Sequence, residues 1–424
     1  MRLAGYGDVW GDTHLKRMTV VIAALAAVLV AGCSSSTDST AGHGASSHPT
    51  SPPAQPAAHG VEEPIGAVPW PQVGPGWLLA TWSPVTGGPP APGEPTEATA
   101  TTTLYLVDPA GGRYAITTFK PPGEMAGPEL VDWSGDGSKA LFHTEYAKLP
   151  TAIIVDLHTG AQTEFAVEGR PRFTRPDGAA LLLETPGLFS PPSRSWPGQS
   201  QPGALISADL AGNHLLTYPV GPDFSGGYLS TPDGTRIILG RPSGFSVMGN
   251  DGIISKTVSI NGQKSCSPLR WWDGNRSTTI LMRCTGTDDS GTRLWLVPIS
   301  GDAPTALTAP NDGQRGPDFG DANAWKLPSG TFVQALGPCG VTYLATLNAD
   351  GTTSQVAVPD VSGDSSVFVV GADRNDLQLT AREGCGGSEA LVTYDTTEAR
   401  STVLLGPPVN GGDVIDVLPY PGQG

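Results

Sequence analysis

One short pattern recurs along this chain and restricts what it can become: an apolar run, a tight Asp- and Gly-containing turn, then a second apolar run. The best copy spans residues 131–144, with Trp133-Ser134-Gly135-Asp136-Gly137 at its corner. Copies follow around Pro176-Asp177-Gly178 and Pro232-Asp233-Gly234, then decay at residues 271–274, 327–330 and 371–376. Pro presets φ at the first turn position, and Asp and Gly tolerate the corner, so each copy reads as a β-hairpin. A second landmark alternates with the first. It is a strand followed by an Asp/Gly turn at residues 104–112, 153–160, 205–212, 248–252, 297–301, 347–351 and 394–398. Together they define a unit of about fifty residues, strand A, turn, strand B, loop, strand C, turn, strand D, within the range of propeller blades. The exported part shows no 3.6-residue apolar period. High Gly (56) and Pro (41) with only 15% charged residues suit many turns between short strands.

Counting C–D hairpins gives seven units. The first has no clear strand A ahead of residues 77–82, and the last has a strand left over at residues 413–418. A ring resolves both, with the C-terminal strand serving as strand A of the first blade and leaving no sheet edge open. The expected fold is therefore all-β: a β-propeller of seven four-stranded blades closed by the C-terminal strand. A pair of β-sandwiches is the rival architecture, and it explains the fifty-residue recurrence poorly.

Trp133-Ser134-Gly135-Asp136-Gly137 and the two Pro-Asp-Gly turns resemble the repeat of TolB-type and related WD-repeat-like β-propellers. Gly135 stands where the family pattern has Pro, and blades five to seven depart further. The resemblance implies an interaction platform of a bacterial envelope.

The N-terminal region gives an address. Lys16 and Arg17 precede an apolar run at residues 19–31, too short to span a bilayer comfortably, which ends Val30-Ala31-Gly32-Cys33. These four residues resemble the bacterial lipobox, which implies acylation of Cys33 and a lipoprotein held on the outer side of the cell membrane. Each buried methylene contributes about 0.8 kcal/mol, so two or three acyl chains hold where one would slip. The expected organisation is a signal peptide at 1–32, a disordered lipid-anchored tether at 33–69 and the propeller at 70–424. The tether is Ser, Thr, Ala, Pro and Gly with widely spaced His43, His48 and His59, and has no apolar periodicity.

Cys266, Cys284, Cys339 and Cys385 remain, an even number in an exported chain. In the repeat register Cys266 opens strand A of the fifth blade and Cys284 ends its strand B. Cys339 and Cys385 occupy equivalent B–C loops of neighbouring blades. The expected pairs are Cys266 with Cys284 and Cys339 with Cys385. No close Cys-x-x-Cys pair suggests a metal.

Alternation sorts loops by face. The A–B and C–D turns are short and share one face, expected to be inactive. The longest connections, at residues 84–101 and 185–203, are B–C loops on the other face, where binding is expected; Phe189 and Trp196 are its candidate contacts. Adjacent Trp271 and Trp272 must point to different sides, which suits blade packing better than a sugar platform.

Chemistry is sparse. No Gly-x-Ser-x-Gly elbow, no zinc-type histidine spacing and no phosphate loop occurs. His143, His158 and His214 read as surface residues. The calcium-like spacing at Asp132, Ser134 and Asp136 lacks the distal Glu and reads as the turn itself. Asp132, Asp318, Asp321 and Asp373 could reach inner strands, as propeller glycosidases require. A net charge of -16 excludes a phosphate-neutralising patch, so no nucleic acid is expected. No cofactor and no metal are expected. The leading expectation is a membrane-anchored, non-enzymatic platform for a protein or cell-envelope partner. The alternatives are an envelope glycosidase or lyase using channel carboxylates, and a small-ligand sensor.

Overall fold

A computed structural model describes residues 56–424 apart from 88–92, 123–126, 146–149, 186–187, 191–198, 202, 225, 288–290, 311–320, 337–340, 364, 385 and 422–424. The strands form seven blades of four antiparallel strands, one of them extended by a fifth strand, and a separate two-stranded hairpin. In A–D order, blade 1 is Asp413–Pro419, Leu78–Ser83, Thr102–Val107 and Arg113–Phe119. Blade 2 is Glu129–Trp133, Lys139–Thr144, Thr151–Asp156 and Gln162–Ala166. Blade 3 is Arg170–Phe173, Leu181–Thr185, Ala204–Ala208 and His214–Thr217. Blade 4 is Tyr228–Ser230, Arg236–Arg241, Gly244–Gly249 and Ile254–Ser259. Blade 5 is Gln263–Trp271, Thr279–Gly286, Thr292–Pro298 and Thr305–Ala306. Blade 6 is Asn323–Leu327, Gly330–Leu336, Thr342–Leu347 and Thr353–Gln355. Blade 7 is Ser365–Asp373, Asp376–Glu383, Glu389–Asp395 and Arg400–Leu405.

The expected closure is present. Asp413–Pro419 pairs antiparallel with Leu78–Ser83, from Leu78 opposite Pro419 to Ser83 opposite Asp413. The core shows the same ring in another way, because an apolar cluster fills each of the seven blade interfaces. One joins blade 7 to blade 1 through Leu391, Leu404, Leu78, Val107 and Val414. Another joins blades 1 and 2 through Leu104, Ile116, Phe142 and Trp133. Each sheet is covered on both sides, so central strands read as unbroken apolar runs such as Leu181–Leu183, not as alternation. Trp271 packs into the cluster between blades 4 and 5, and Trp272 against that between blades 5 and 6, which divides the pair as expected.

The recurring Asp residues are turn makers. Asp233 accepts hydrogen bonds from the Thr231 and Thr235 hydroxyls and the Thr235 amide. The Thr231 hydroxyl, followed by the Thr235 amide, holds its carboxyl below the ordinary value. Gly234 follows at φ 70°, and an added Cβ would sit 1.7 Å from the Arg175 carbonyl oxygen. Only glycine fits that corner. Asp136 does the same work at the first copy, accepting from Ser134 and Ser138.

The folded part starts ahead of residue 70. Glu62–Pro64 adds a parallel fifth strand outside Arg113–Phe119, and Tyr105 and Arg113 both donate to Glu62. Val68 is buried and packs with Ile65 and Trp70 in the cluster between blades 1 and 2. Trp70 stacks on His158 with ring centroids 3.9 Å apart. This strap has the composition of a tether because backbone pairing on a blade edge, with a few side chains, holds it; neither leaves an apolar period.

Candidate acidic cleft on the B–C face

Strand A is innermost, since A strands of adjacent blades contact one another, as Asp413–Pro419 does with those of blades 2 and 7. The face carrying the B–C loops holds a cavity of about 1040 Å³. Its walls come from three blades. Blade 1 supplies Ser83, the loop residues Thr86, Gly87 and Glu97, and the start of the closing strand at 413–416; strand A of blade 2 supplies Glu129; blade 7 supplies Arg382 and Gly386. The long blade 1 loop is pinned across the rim. The Gly87 amide donates to Ser388 Oγ at 2.7 Å. A Cβ at Gly87 would lie 2.4 Å from the Gly386 carbonyl oxygen, so the two loops meet backbone to backbone.

Carboxylates outnumber cations here: Glu97, Glu129, Asp413 and Asp416 line the cavity with Arg382. Arg382 is already ion-paired with Glu389, and Glu129 with Arg170. Asp416 Oδ2 accepts from the Leu130 amide of blade 2 at 3.1 Å and from the Thr81 hydroxyl at 3.3 Å. Burial pushes the Asp416 carboxyl up to about 6, and the nearby Glu129 charge adds to this against the Leu130 hydrogen bond. Asp413 is also raised, by burial first and then by the charges of Glu389 and Glu97, although it accepts the Glu389 amide hydrogen. Two carboxyls are held high in a cleft where acids outnumber the cation Arg382, a pattern common at binding and catalytic sites.

The sequence candidates are dispersed. Cys266–Cys284 is a disulfide with Cα atoms 4.2 Å apart. Its separation of 18 residues corresponds to a stabilisation of about 3 kcal/mol in the loop-entropy picture. Cys33, Cys339, Cys385 and Trp196 lie outside the described residues. Phe189 falls in Leu188–Ser190, which pairs with Gln199–Gln201 as a small hairpin inserted between strands B and C of blade 3. Asp132 is committed to structure: it accepts from the Phe173 amide and pairs with Arg175 at 2.8 Å, joining blade 2 to blade 3. Asp321 pairs with Arg283 at the B–C end of blade 6, whereas Asp373 ends strand A of blade 7 on the opposite face. These three are not brought together, and Asp318 lies outside the described residues.

His143 is not a surface residue. It is 5% exposed in strand B of blade 2, its Nε2 has no hydrogen-bond partner, and burial, followed by the Arg170 charge, lowers its pKa. His158 and His214 are exposed, as expected. Among the described residues no His, Cys, Asp or Glu cluster is arranged to hold a metal. Asp413 and Asp416 escaped the sequence reading, although two acids on a strand that must be innermost were the available signal.

Seven sheets, seven interface clusters and a C-terminal strand that completes the first sheet define a closed seven-bladed β-propeller. No protein-family model matches the chain, and no curated protein matches it. Among solved structures it is similar to an acylaminoacyl peptidase of Pyrococcus horikoshii at 12% identity, covering 78% of this chain and 51% of that one, with a TM-score of 0.48. It is similar to TolB of Acinetobacter baumannii at 16% identity, covering 81% and 66%, with a TM-score of 0.40. The β-propeller domain of the Trilobed protease from Pyrococcus furiosus is similar at 14% identity, covering 78% and 93%, with a TM-score of 0.48. The chain thus spans about half the length of the peptidase.

Proposed function

We propose that this protein is a lipid-anchored, extracytoplasmic binding platform that takes a basic segment of a protein partner into the acidic cleft. The cleft's excess of carboxylates carries the reading. Lys or Arg side chains entering it would supply further countercharge, stabilise the ionised forms of Asp413 and Asp416, and gain charge-assisted hydrogen bonds. Anchoring through Cys33 would hold the platform at the membrane surface.

Crosslinked capture from intact cells tests this with wild type, Glu97→Arg and Cys33→Ser. Glu97→Arg puts a cation in the cleft without touching the core, and is expected to reduce recovery of the partner roughly tenfold. Cys33→Ser is expected to change the set of captured proteins. Equal capture by Glu97→Arg and wild type would overturn the cleft as the docking site, and an unchanged set with Cys33→Ser would overturn the role of anchoring. A hydrolase reading draws on the same raised carboxyls. It requires turnover of an envelope glycan that is lost in Asp413→Asn.

A further inference from the structure

The opposite end of the axis, expected from the sequence to be inactive, opens into a second cavity of about 490 Å³. It is bounded by the A–B ends of blades 1 to 5. A recess of about 230 Å³ shares Arg270, Trp271 and Gly274 with it and reaches blades 6 and 7. In a chain of net charge -16 this mouth is locally cationic. Arg175, Arg270, Lys326 and Arg374 line the two spaces, against Asp132 and Asp373. Asp132 is taken up by Arg175 and the blade 3 backbone. Asp373 Oδ2 turns toward blade 1, where a Cβ on Gly76 would come within 3.1 Å of it.

Arg270 is left over. Its guanidinium lies over the Trp325 ring, 5.3 Å from the centroid, and among the described residues it makes no ion pair. Arg270 is partly buried on strand A of blade 5, and its partial desolvation lowers its pKa to about 10. A guanidinium has five N–H donors, and here they border the open space of both cavities. The walls beside it are rigid. The Trp271 indole N–H donates to the Ser230 carbonyl at 2.9 Å. Tyr420 meets Trp133 edge-on at 5.2 Å, and its amide donates to the Trp77 carbonyl. Pro419 and Pro421 complete this side. An unpaired cation, fixed aromatic walls and a volume in the range of small-ligand pockets occur together.

We propose that this axial mouth binds a small organic oxyanion, with its carboxylate or phosphate against Arg270 and its ring against Trp271 and Tyr420. The oxyanion supplies the acceptors that Arg270 lacks, and the bidentate fork favours a planar carboxylate or a phosphate over a neutral hydroxyl. The site is on the face opposite the acidic cleft and stands independently of the partner proposed there.

The full-length protein would be titrated with sodium glucuronate, glucose 6-phosphate and glucose, read by calorimetry and tryptophan fluorescence. Saturable binding of at least one acidic sugar is expected, with glucose at least about tenfold weaker. Preference between the two acids identifies carboxylate or phosphate as the anion. Arg270→Gln is expected to weaken the acidic sugar at least about tenfold, and Arg270→Lys to retain part of it. Tyr420→Ala, at the partly exposed rim, keeps the question answerable should Arg270→Gln fail to fold, and is expected to weaken binding severalfold. Three results would each overturn the proposal: neither acidic sugar binding at millimolar concentration, glucose binding equally well, or folded Arg270 and Tyr420 variants binding like wild type.

Discussion

A chain ending at Pro408 is expected to melt about 10 °C or more below the full-length protein, or to be recovered as aggregate. The truncation removes Asp413–Pro419, the innermost strand of blade 1. Val414 and Val417 are buried in the cluster joining blades 7 and 1, and Leu418 packs into the one joining blades 1 and 2. Burying an aliphatic side chain contributes about 1.5–3 kcal/mol, so three of them account for roughly 5–9 kcal/mol. A whole domain is stable by only about 5–15 kcal/mol. The loss also bares the ladder edge of Leu78–Ser83, which invites pairing between molecules. Thermal unfolding by circular dichroism reads the effect. A peptide covering residues 409–421, added in excess, is expected to restore part of the melting temperature. An unchanged melt would mean that the last strand is an ornament on an already stable ring.

The second large effect concerns Asp416 and acidity. Its folded-state carboxyl titrates at about 6, above the ordinary 3.8. Between these values the folded protein holds a proton that the unfolded chain has released. Stability from this group is therefore full below about pH 4 and is lost as pH rises toward 6 and beyond. Two pH units correspond to about 3 kcal/mol, reduced somewhat by the group's partial solvent access. Asp416→Asn keeps an oxygen acceptor for the Leu130 amide and the Thr81 hydroxyl without the charge. It is expected to be more stable than wild type by about 1–3 kcal/mol at pH 7.5 and equal to it near pH 4. His143 works in the other direction: its lowered pKa costs stability as pH falls below 6.5. The measured quantity is therefore the difference between the two proteins in urea unfolding at each pH, from which His143 cancels. A constant difference across this range would refute the assignment.

Much of the ring could be read from residue types because its turns depend on local chemistry. Asp233 with Gly234, and Asp395 capping the amides of Thr397 and Glu398, shape their corners through bonds reaching two or three residues. The unpaired strand at 413–418 and the missing first strand gave the closure by counting, and the repeat register placed Cys266 beside Cys284. What escaped is long-range. His143 becomes buried only once blades 2 and 3 pack, and nothing near it in sequence says so. Arg270 is an ordinary strand residue until Trp325 and the axis surround it. Asp413 and Asp416 acquire raised pKa values from burial first and then from the charges of Glu97, Glu129 and Glu389, which come from three separate segments. The strap at residues 57–77 is invisible to periodicity because an edge strand of three residues holds it.

That strap also decides how the molecule answers a pull. Tension applied from the N-terminal side first meets Glu62–Pro64 at the outer rim of blade 1, far from the axis. The load falls on a three-residue pairing, the Glu62 contacts and the Trp70–His158 stack. Further release draws Val68 and Trp77 out of the cluster between blades 1 and 2 but leaves the other blade interfaces intact. Releasing residues 57–77 lets out up to about 70 Å of chain. Under tension the strap would thus lengthen before the propeller bears force. Single-molecule pulling is expected to show this as a short, reversible step at lower force than the unfolding of the ring.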